Sequence, residues 1–292
     1  MQDKIIRAIA ADSQIRAFFA STKQVAETAR QIHNTTPVAT AALGRFLTAA
    51  LLMGQTLKDD DELLTLRIKS EGPLGGMLVT SSNNGFVKGY VINPEADVPN
   101  INPTKLNVGG CVGEGSLTVI KDMGLKEPYV GQIPLVSGEI AEDIANYFAQ
   151  SEQIPSVVSL GVLVDTDRTV KQSGGFIIQL LPFASDEIIT KLEKKINSLK
   201  NITQMLDSGM TAEDILQEVL GDFGVQVTDE KPVSFKCDCS RERVLKVLAS
   251  MGREDLTKIY EEDKHAEIVC HFCCKKYDFG EKEIENLLRQ DV

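Results

Sequence analysis

The sequence predicts an α+β protein in three parts: an N-terminal mixed α/β core domain with an antiparallel sheet (1–182), a helical linker (183–230) and a small cysteine-rich C-terminal domain (231–292). Three observations carry that prediction. Short stretches of alternating apolar and polar residues recur up to Pro182, with helical spacing between them. Beyond Pro182 apolar residues return at helical intervals among lysines and glutamates. Five of the six cysteines then fall between Cys237 and Cys274.

Alternation at 15–20 and 64–68 reads as half-buried strands, with helices over roughly 25–32 and 38–57. The second of these is apolar enough to resemble a membrane span. Thr40, Arg45 and Thr48 interrupt it, so it is read as a buried helix that ends before the acidic run at 59–62. Residues 77–81 and 86–92 are β-rich and are joined by Asn83, Asn84 and Gly85, residue types that supply the positive φ of a hairpin turn. Further strands are expected at 116–121, 130–135, 157–164 and 175–181, with an amphipathic helix over 139–150 and Pro182 closing the domain.

In the linker, Ile188, Ile189, Leu192, Ile196, Leu199, Ile202, Met205 and Leu206 form an apolar stripe, and residues 211–214 start another helix that runs through Leu220. Ordinary amphipathic helices packed on the core domain and a metastable regulatory segment both fit this pattern. In the last part Ser240 caps a helix with Gly252 as its stop, a shorter helix follows to about Glu261, Ile268 and Val269 enter Cys270 as a strand, and 281–289 form a closing helix.

A chain of 292 residues has room for two domains. Its formal charge of -11 opposes attachment to phosphate backbones or anionic lipid, both of which require a positive field. The opening residues carry Asp3, Lys4 and Arg7 and no apolar run of signal-peptide length, so a cytosolic location is expected. In that reducing compartment a cysteine cluster indicates a metal site or a redox device before a structural staple.

The cluster reads Cys-x-Cys, thirty intervening residues, then Cys-x-x-Cys. Cys237, Cys239, Cys270 and Cys273 together supply the four soft thiolates that tetrahedral zinc prefers, which makes the last part a zinc-binding domain with one Zn2+ per chain. A unit of about sixty residues has a marginal core, and structural zinc contributes on the order of 10–16 kcal/mol, so the unit is expected to unfold without metal. A set of packed buried thiols is the bland alternative. A thioredoxin-like dithiol at Cys270 and Cys273 is the sharper one, but it needs a helix N-terminus that the sequence places only near Glu281. Lys236, Arg241, Arg243, Lys275 and Lys276 lie close enough in sequence to offset the charge of four thiolates. They fit a solvated basic face equally well. Cys274 is expected to be a free neighbouring thiol, Cys111 a small buried residue in a tight glycine-rich loop, and His33, His265 and His271 non-ligands.

The strings FKCDCSRERV and EIVCHFCCKKYDF, with GYVINP (89–94), GEIAEDIANYFAQSEQIPS (138–156) and GGFIIQLLP (174–182), resemble the redox-regulated 33 kDa heat-shock chaperone family over nearly the whole chain. Cys274 is a departure, since the family motif requires no cysteine there. The resemblance implies an ATP-independent holdase, not an enzyme, that is inactive when reduced and zinc-bound. It also implies that oxidants pair Cys237 with Cys239 and Cys270 with Cys273, that the C-terminal region then unfolds, and that unfolding client proteins are held, commonly by a homodimer. The sequence contains no GxxxxGK[ST] phosphate loop, which agrees with independence from ATP. Two other functions remain open: a thiol-disulfide oxidoreductase working through Cys270 and Cys273, and a zinc-ribbon nucleic-acid module, which the basic neighbours favour and the acidic whole opposes.

Overall fold

The computed structural model describes residues 2–102 and 105–289, so the tail of the expected C-terminal domain, 290–292, lies outside the described residues. The chain divides into two compact units, Met1–Lys236 and Cys237–Val292. In chain order the first holds β1 (Lys4–Ala10), β2 (Ile15–Ser21), α1 (Lys23–His33), α2 (Pro37–Gly54), β3 (Leu63–Ser70), β4 (Gly76–Ser81), β5 (Phe86–Val91), α3 (Val108–Val112), β6 (Gly115–Asp122), β7 (Tyr129–Pro134), α4 (Ala141–Tyr147), β8 (Ser156–Val164), β9 (Val170–Leu180), α5 (Asp186–Ser198), α6 (Ile202–Asp207), α7 (Ala212–Leu220), β10 (Gln226–Pro232) and β11 (Ser234–Phe235). The second holds α8 (Arg241–Ala249), α9 (Arg253–Glu262), β12 (His265–Val269), β13 (Lys276–Gly280) and α10 (Glu281–Arg289). The protein is α+β, as the sequence predicts.

Two sheets organise the first unit. One is antiparallel in the order β10-β1-β2-β9-β8; the other runs β11-β5-β4-β3-β6-β7 and is antiparallel except for the short parallel pairing of β11 with β5. Helix α2 packs against β8 and β9 of the first sheet and against β3, β4 and β5 of the second. A helix between two sheets has no solvent side, which explains why its sequence is apolar all round. Its mean hydropathy of 1.4 reaches that of a membrane span, yet 89% of it is buried inside the unit. Thr36 opens it by accepting a hydrogen bond from the Ala39 N–H, and Pro37 occupies the first turn, where no donor is needed.

The five-stranded sheet has a core on each face. Ile5, Phe18 and Ile177 point toward α2, whereas Ile6, Ile15, Phe19, Phe176 and Ile178 pack under Leu192, Met205, Leu206, Ile215, Leu216 and Val219. The linker helices therefore cover the second face, with Ile188, Ile196 and Leu199 partly buried along the same seam.

Several elements depart from the sequence reading. The compact unit passes the 182 and 230 boundaries and ends at Lys236, because the chain after α7 turns into β10, which pairs along its length with β1. Both strands escape periodicity: β10 is almost wholly exposed and polar, while β1 lies in the charged opening stretch. The long helix ends at Gly54 and not at 57, β9 begins five residues earlier than expected, at Val170, and the helix expected over 139–150 is α4 followed by a π-helical stretch, Phe148–Glu152. Cys111 sits in the short helix α3 and not in a loop. Gly85 does adopt the positive φ, 82°, required by the β4–β5 turn.

Helix α1 is tied to this frame by Glu27, whose carboxylate accepts from Arg30 Nη2 at 2.6 Å, Gln31 Nε2 at 2.8 Å and the Val170 N–H at 2.9 Å. The Arg30 bond lowers its pKa to about 2, against the opposing effect of burial. A carboxylate held below its unfolded pKa contributes stability that is whole above pH ~4.5 and is lost as pH falls toward 2. Glu27→Gln should accordingly lower the unfolding free energy by about 1 kcal/mol at pH 7. In urea titrations at stepped pH, the gap between wild type and variant should close as the acid limit is approached.

Candidate metal centre

The second unit brings the two cysteine motifs together from opposite ends of its chain. Cys237 and Cys239 precede α8, which Ser240 caps by accepting from the Arg243 N–H at 3.2 Å. Cys270 and Cys273 sit in the turn of the β12–β13 hairpin, whose register pairs Val269 with Lys276. Within that turn the Cys270 N–H donates to Lys275 O at 3.0 Å and the Cys274 N–H to Cys270 O at 2.8 Å, aiming the two sulfurs to one side. The surrounding core is small: Val244, Leu248, Leu256, Tyr277, Phe279 and Leu287, with Cys239 and Cys270 packed against it.

All four sulfurs lie within 4.8 Å of one another. Cys237 Sγ is 3.7 Å from Cys270 Sγ, and Cys239 Sγ is 3.3 Å from Cys273 Sγ. Sulfurs at the corners of a tetrahedral zinc site with bonds of ~2.3 Å stand ~3.8 Å apart. The donor set therefore suits a tetrahedral ion in number, softness and spacing.

Four thiols this close cannot all ionise without a counter-charge. Burial pushes Cys237 far above the ordinary thiol range and Cys273 up to about 11. At Cys239 burial acts in the same direction but is outweighed by a hydrogen bond from the Tyr277 hydroxyl, with help from the neighbouring thiols, and the pKa falls to about 7. Tyr277 Oη lies 3.1 Å from Cys239 Sγ and 3.2 Å from its carbonyl oxygen. Of Cys237, Cys239 and Cys273, only Cys239 is moved toward the thiolate.

Tyr277 is the residue that the sequence reading missed. It is an inward-facing strand residue whose partner lies 38 positions away, and only the hairpin register brings its hydroxyl to the site. Of the basic residues expected to offset the sulfur charge, Arg243 pairs with Asp238 and also feels the charge of Cys237 and Cys239, whereas Arg241 bonds Glu283 at 2.8 Å, Lys276 bonds Glu267 at 3.0 Å and Lys236 lies over the Phe86 ring in the first unit. Lys275 stands 5.2 Å from the centroid of the Tyr277 ring. Cys274 is exposed and stays outside the group of four, with its backbone at φ 56°. His271 is also outside that group, His33 bonds Gly89 O at 3.0 Å, and His265 lies 3.3 Å from Asp278. Cys111 is fully buried in the first unit, where burial raises its thiol to about 11.

The fold and site define a class of protein: a two-faced β-sheet platform followed by a small unit organised around a four-thiol, metal-competent centre. Comparison with known proteins gives the particular family. The Hsp33 protein family model matches residues 3–280. The chain is 53% identical over 288 residues to the 33 kDa chaperonin of Lachnoclostridium phytofermentans, covering 99% of both chains. It is 52% identical to that of Agathobacter rectalis, covering 98% of this chain and all of the relative. The crystal structure of the 33 kDa chaperonin (heat shock protein 33 homolog) of Thermotoga maritima superposes with a TM-score of 0.90 at 36% identity, over 99% of this chain and 98% of that one. The chain belongs to the Hsp33 chaperone family.

Replacing Tyr277 with Phe removes the donor to Cys239 while keeping the ring in the core. Metal affinity, measured by competition with a chelating dye, should fall about tenfold or more, while far-ultraviolet circular dichroism of the loaded protein stays unchanged.

Proposed function

We propose that this protein is a redox-switched, ATP-independent holdase of the cytosol, which acts by binding unfolding proteins and not by catalysis. The observation that carries the reading is the convergence of four thiols on a unit with so small an apolar core, in a chain of this family. Cys237, Cys239, Cys270 and Cys273 would hold one zinc ion in the reduced chain. A bound zinc ion supplies folding free energy to that unit.

Oxidation acts on the ligands. Held as thiolates, Cys270 and Cys273 would close to a disulfide by giving up two electrons, and peroxide, the acceptor, would take those electrons with two protons from solvent and leave as two water molecules. Cys237 and Cys239 follow, because the ring they close is shorter and more strained. Each bond withdraws two thiolates from the donor set, and the small unit then lacks the core to stay folded on its own.

Loss of structure passes back along the chain to β10, an exposed edge strand held on one side by β1. The helices α5, α6 and α7 just before it cover Phe19, Phe176 and Ile178 on the sheet. Their release uncovers that apolar face together with the stripe Ile188, Leu192, Ile196 and Leu199, and unfolding clients bind there. The oxidised form works as a homodimer. Nucleic acid and membrane play no part in this reading.

Two outcomes test it. The reduced protein should contain one zinc per chain, and single Cys→Ser changes at Cys237, Cys239, Cys270 or Cys273 should abolish tight binding while Cys274→Ser keeps it; a reversed pattern at Cys273 and Cys274 sinks the ligand assignment. Peroxide should raise the suppression of aggregation of a heat-unfolding protein many-fold, in step with zinc release and with faster hydrogen exchange across 184–232. A rise in activity with that segment still protected would refute the coupling.

A further inference from the structure

The β4–β5 turn contains the one Asn–Gly pair of the sequence, Asn84–Gly85. Two features of the fold keep glycine there: its φ of 82°, and Pro232 O, which would stand 2.5 Å from a Cβ at this position. A residue without a side chain leaves its own backbone nitrogen unshielded beside the asparagine amide. Asn84 is exposed to water, and its Oδ1 accepts from the Ser82 hydroxyl at 2.5 Å and from the Phe86 N–H at 3.3 Å. The Gly85 N–H makes a long bond, 3.4 Å, to Ser82 O. The turn thus sets an amide carbonyl, with two donors on its oxygen, next to a loosely held backbone nitrogen.

We propose that Asn84 is a site of spontaneous covalent modification, where isoaspartate forms and unlatches the segment 231–236 from the six-stranded sheet. The Gly85 nitrogen gives its proton to solvent base and adds to Asn84 Cγ. Negative charge gathers on Oδ1, the atom that already has two donors. The bond from Cγ to the side-chain nitrogen then breaks, ammonia leaves with a proton from solvent, and a succinimide remains. Water opens that ring at either carbonyl, giving aspartate or, with the backbone rerouted through the side chain, isoaspartate. Segment 231–236 leans on this turn: Lys231 Nζ donates to Asn83 O at 3.0 Å and to Asn83 Oδ1 at 3.3 Å, and the Ser234 N–H donates to Gly85 O at 3.1 Å, where β11 begins to pair with β5. Isoaspartate inserts a methylene into the backbone between those two acceptors, so their spacing no longer fits. The same segment carries the chain into Cys237. No step returns the asparagine, so the mark accumulates with the age of the folded chain, and neither sulfur nor oxidant takes part in it.

The test incubates the full, reduced chain at neutral pH beside a free peptide with the sequence of residues 81–87. Isoaspartate, counted by enzymatic methylation of its carboxylate and placed by peptide mapping, should appear at Asn84 at least as fast as in the peptide. Ser82→Ala should slow it about fivefold in the protein, the worth of one hydrogen bond, and leave the peptide's rate unchanged. In the aged protein the Ser234 and Lys236 amides should exchange hydrogen faster than in fresh protein. In Asn84→Gln, aged in parallel, they should not, because a glutamine side chain closes its ring far more slowly. The proposal is overturned if Asn84 stays intact after the peptide has converted by half, if Ser82→Ala acts alike on protein and peptide, or if isoaspartate builds up while Ser234 stays as protected as before.

Discussion

Few apolar side chains are buried after Cys237. Among the described residues the core cluster of the second unit gathers Val244, Leu248, Leu256, Tyr277, Phe279 and Leu287, against the dozens around α2. Beside the packing of Val244 and Leu248 on Tyr277 and Phe279, α8 and the β12–β13 hairpin are joined where Cys237 and Cys239 meet Cys270 and Cys273. Everything else in the unit serves that meeting point: the Ser240 cap that starts α8 directly after the first motif, the hairpin register that sets the second at the turn, and the Tyr277 hydroxyl that favours negative charge on Cys239. A fold resting on soft anionic donors depends on the oxidation state of those donors, as one resting on leucines does not.

The first unit is built on the opposite principle. Its two sheets share one almost wholly buried helix, and Glu27 beside it is paired with Arg30. Only the outer face of the five-stranded sheet depends on elements with little else to hold them, the three short helices of 186–220 and the edge strand β10.

The centre of this architecture was legible in the sequence because its residues obey a period. Strands such as Leu63–Ser70 are buried on one face and alternate, and α2 is apolar along its length. The four cysteines that meet in the second unit are picked out by their spacing. What stayed hidden depends on partners distant in the chain. Strand β10 reads as a charged loop because it is exposed on both faces and owes its conformation to β1. Tyr277 reads as an ordinary aromatic core residue, since only its hydroxyl, meeting Cys239 through space, distinguishes it.

The sulfur pairs at 3.7 and 3.3 Å both run across the motifs, Cys237 to Cys270 and Cys239 to Cys273, although all four sulfurs are near neighbours. Wiring matters more than bond count here. A covalent bridge between residues 33 or 34 positions apart closes a large loop and restrains the unfolded chain by roughly 4 kcal/mol on the entropic account. A bridge between motif neighbours restrains it by roughly 2 kcal/mol, and the two halves of the unit stay untethered to each other. Two crosswise bonds would staple shut the segment that, under the proposed switch, two lengthwise bonds set free. Under that switch, which sulfur each oxidised cysteine meets first decides whether the unit opens or is locked closed.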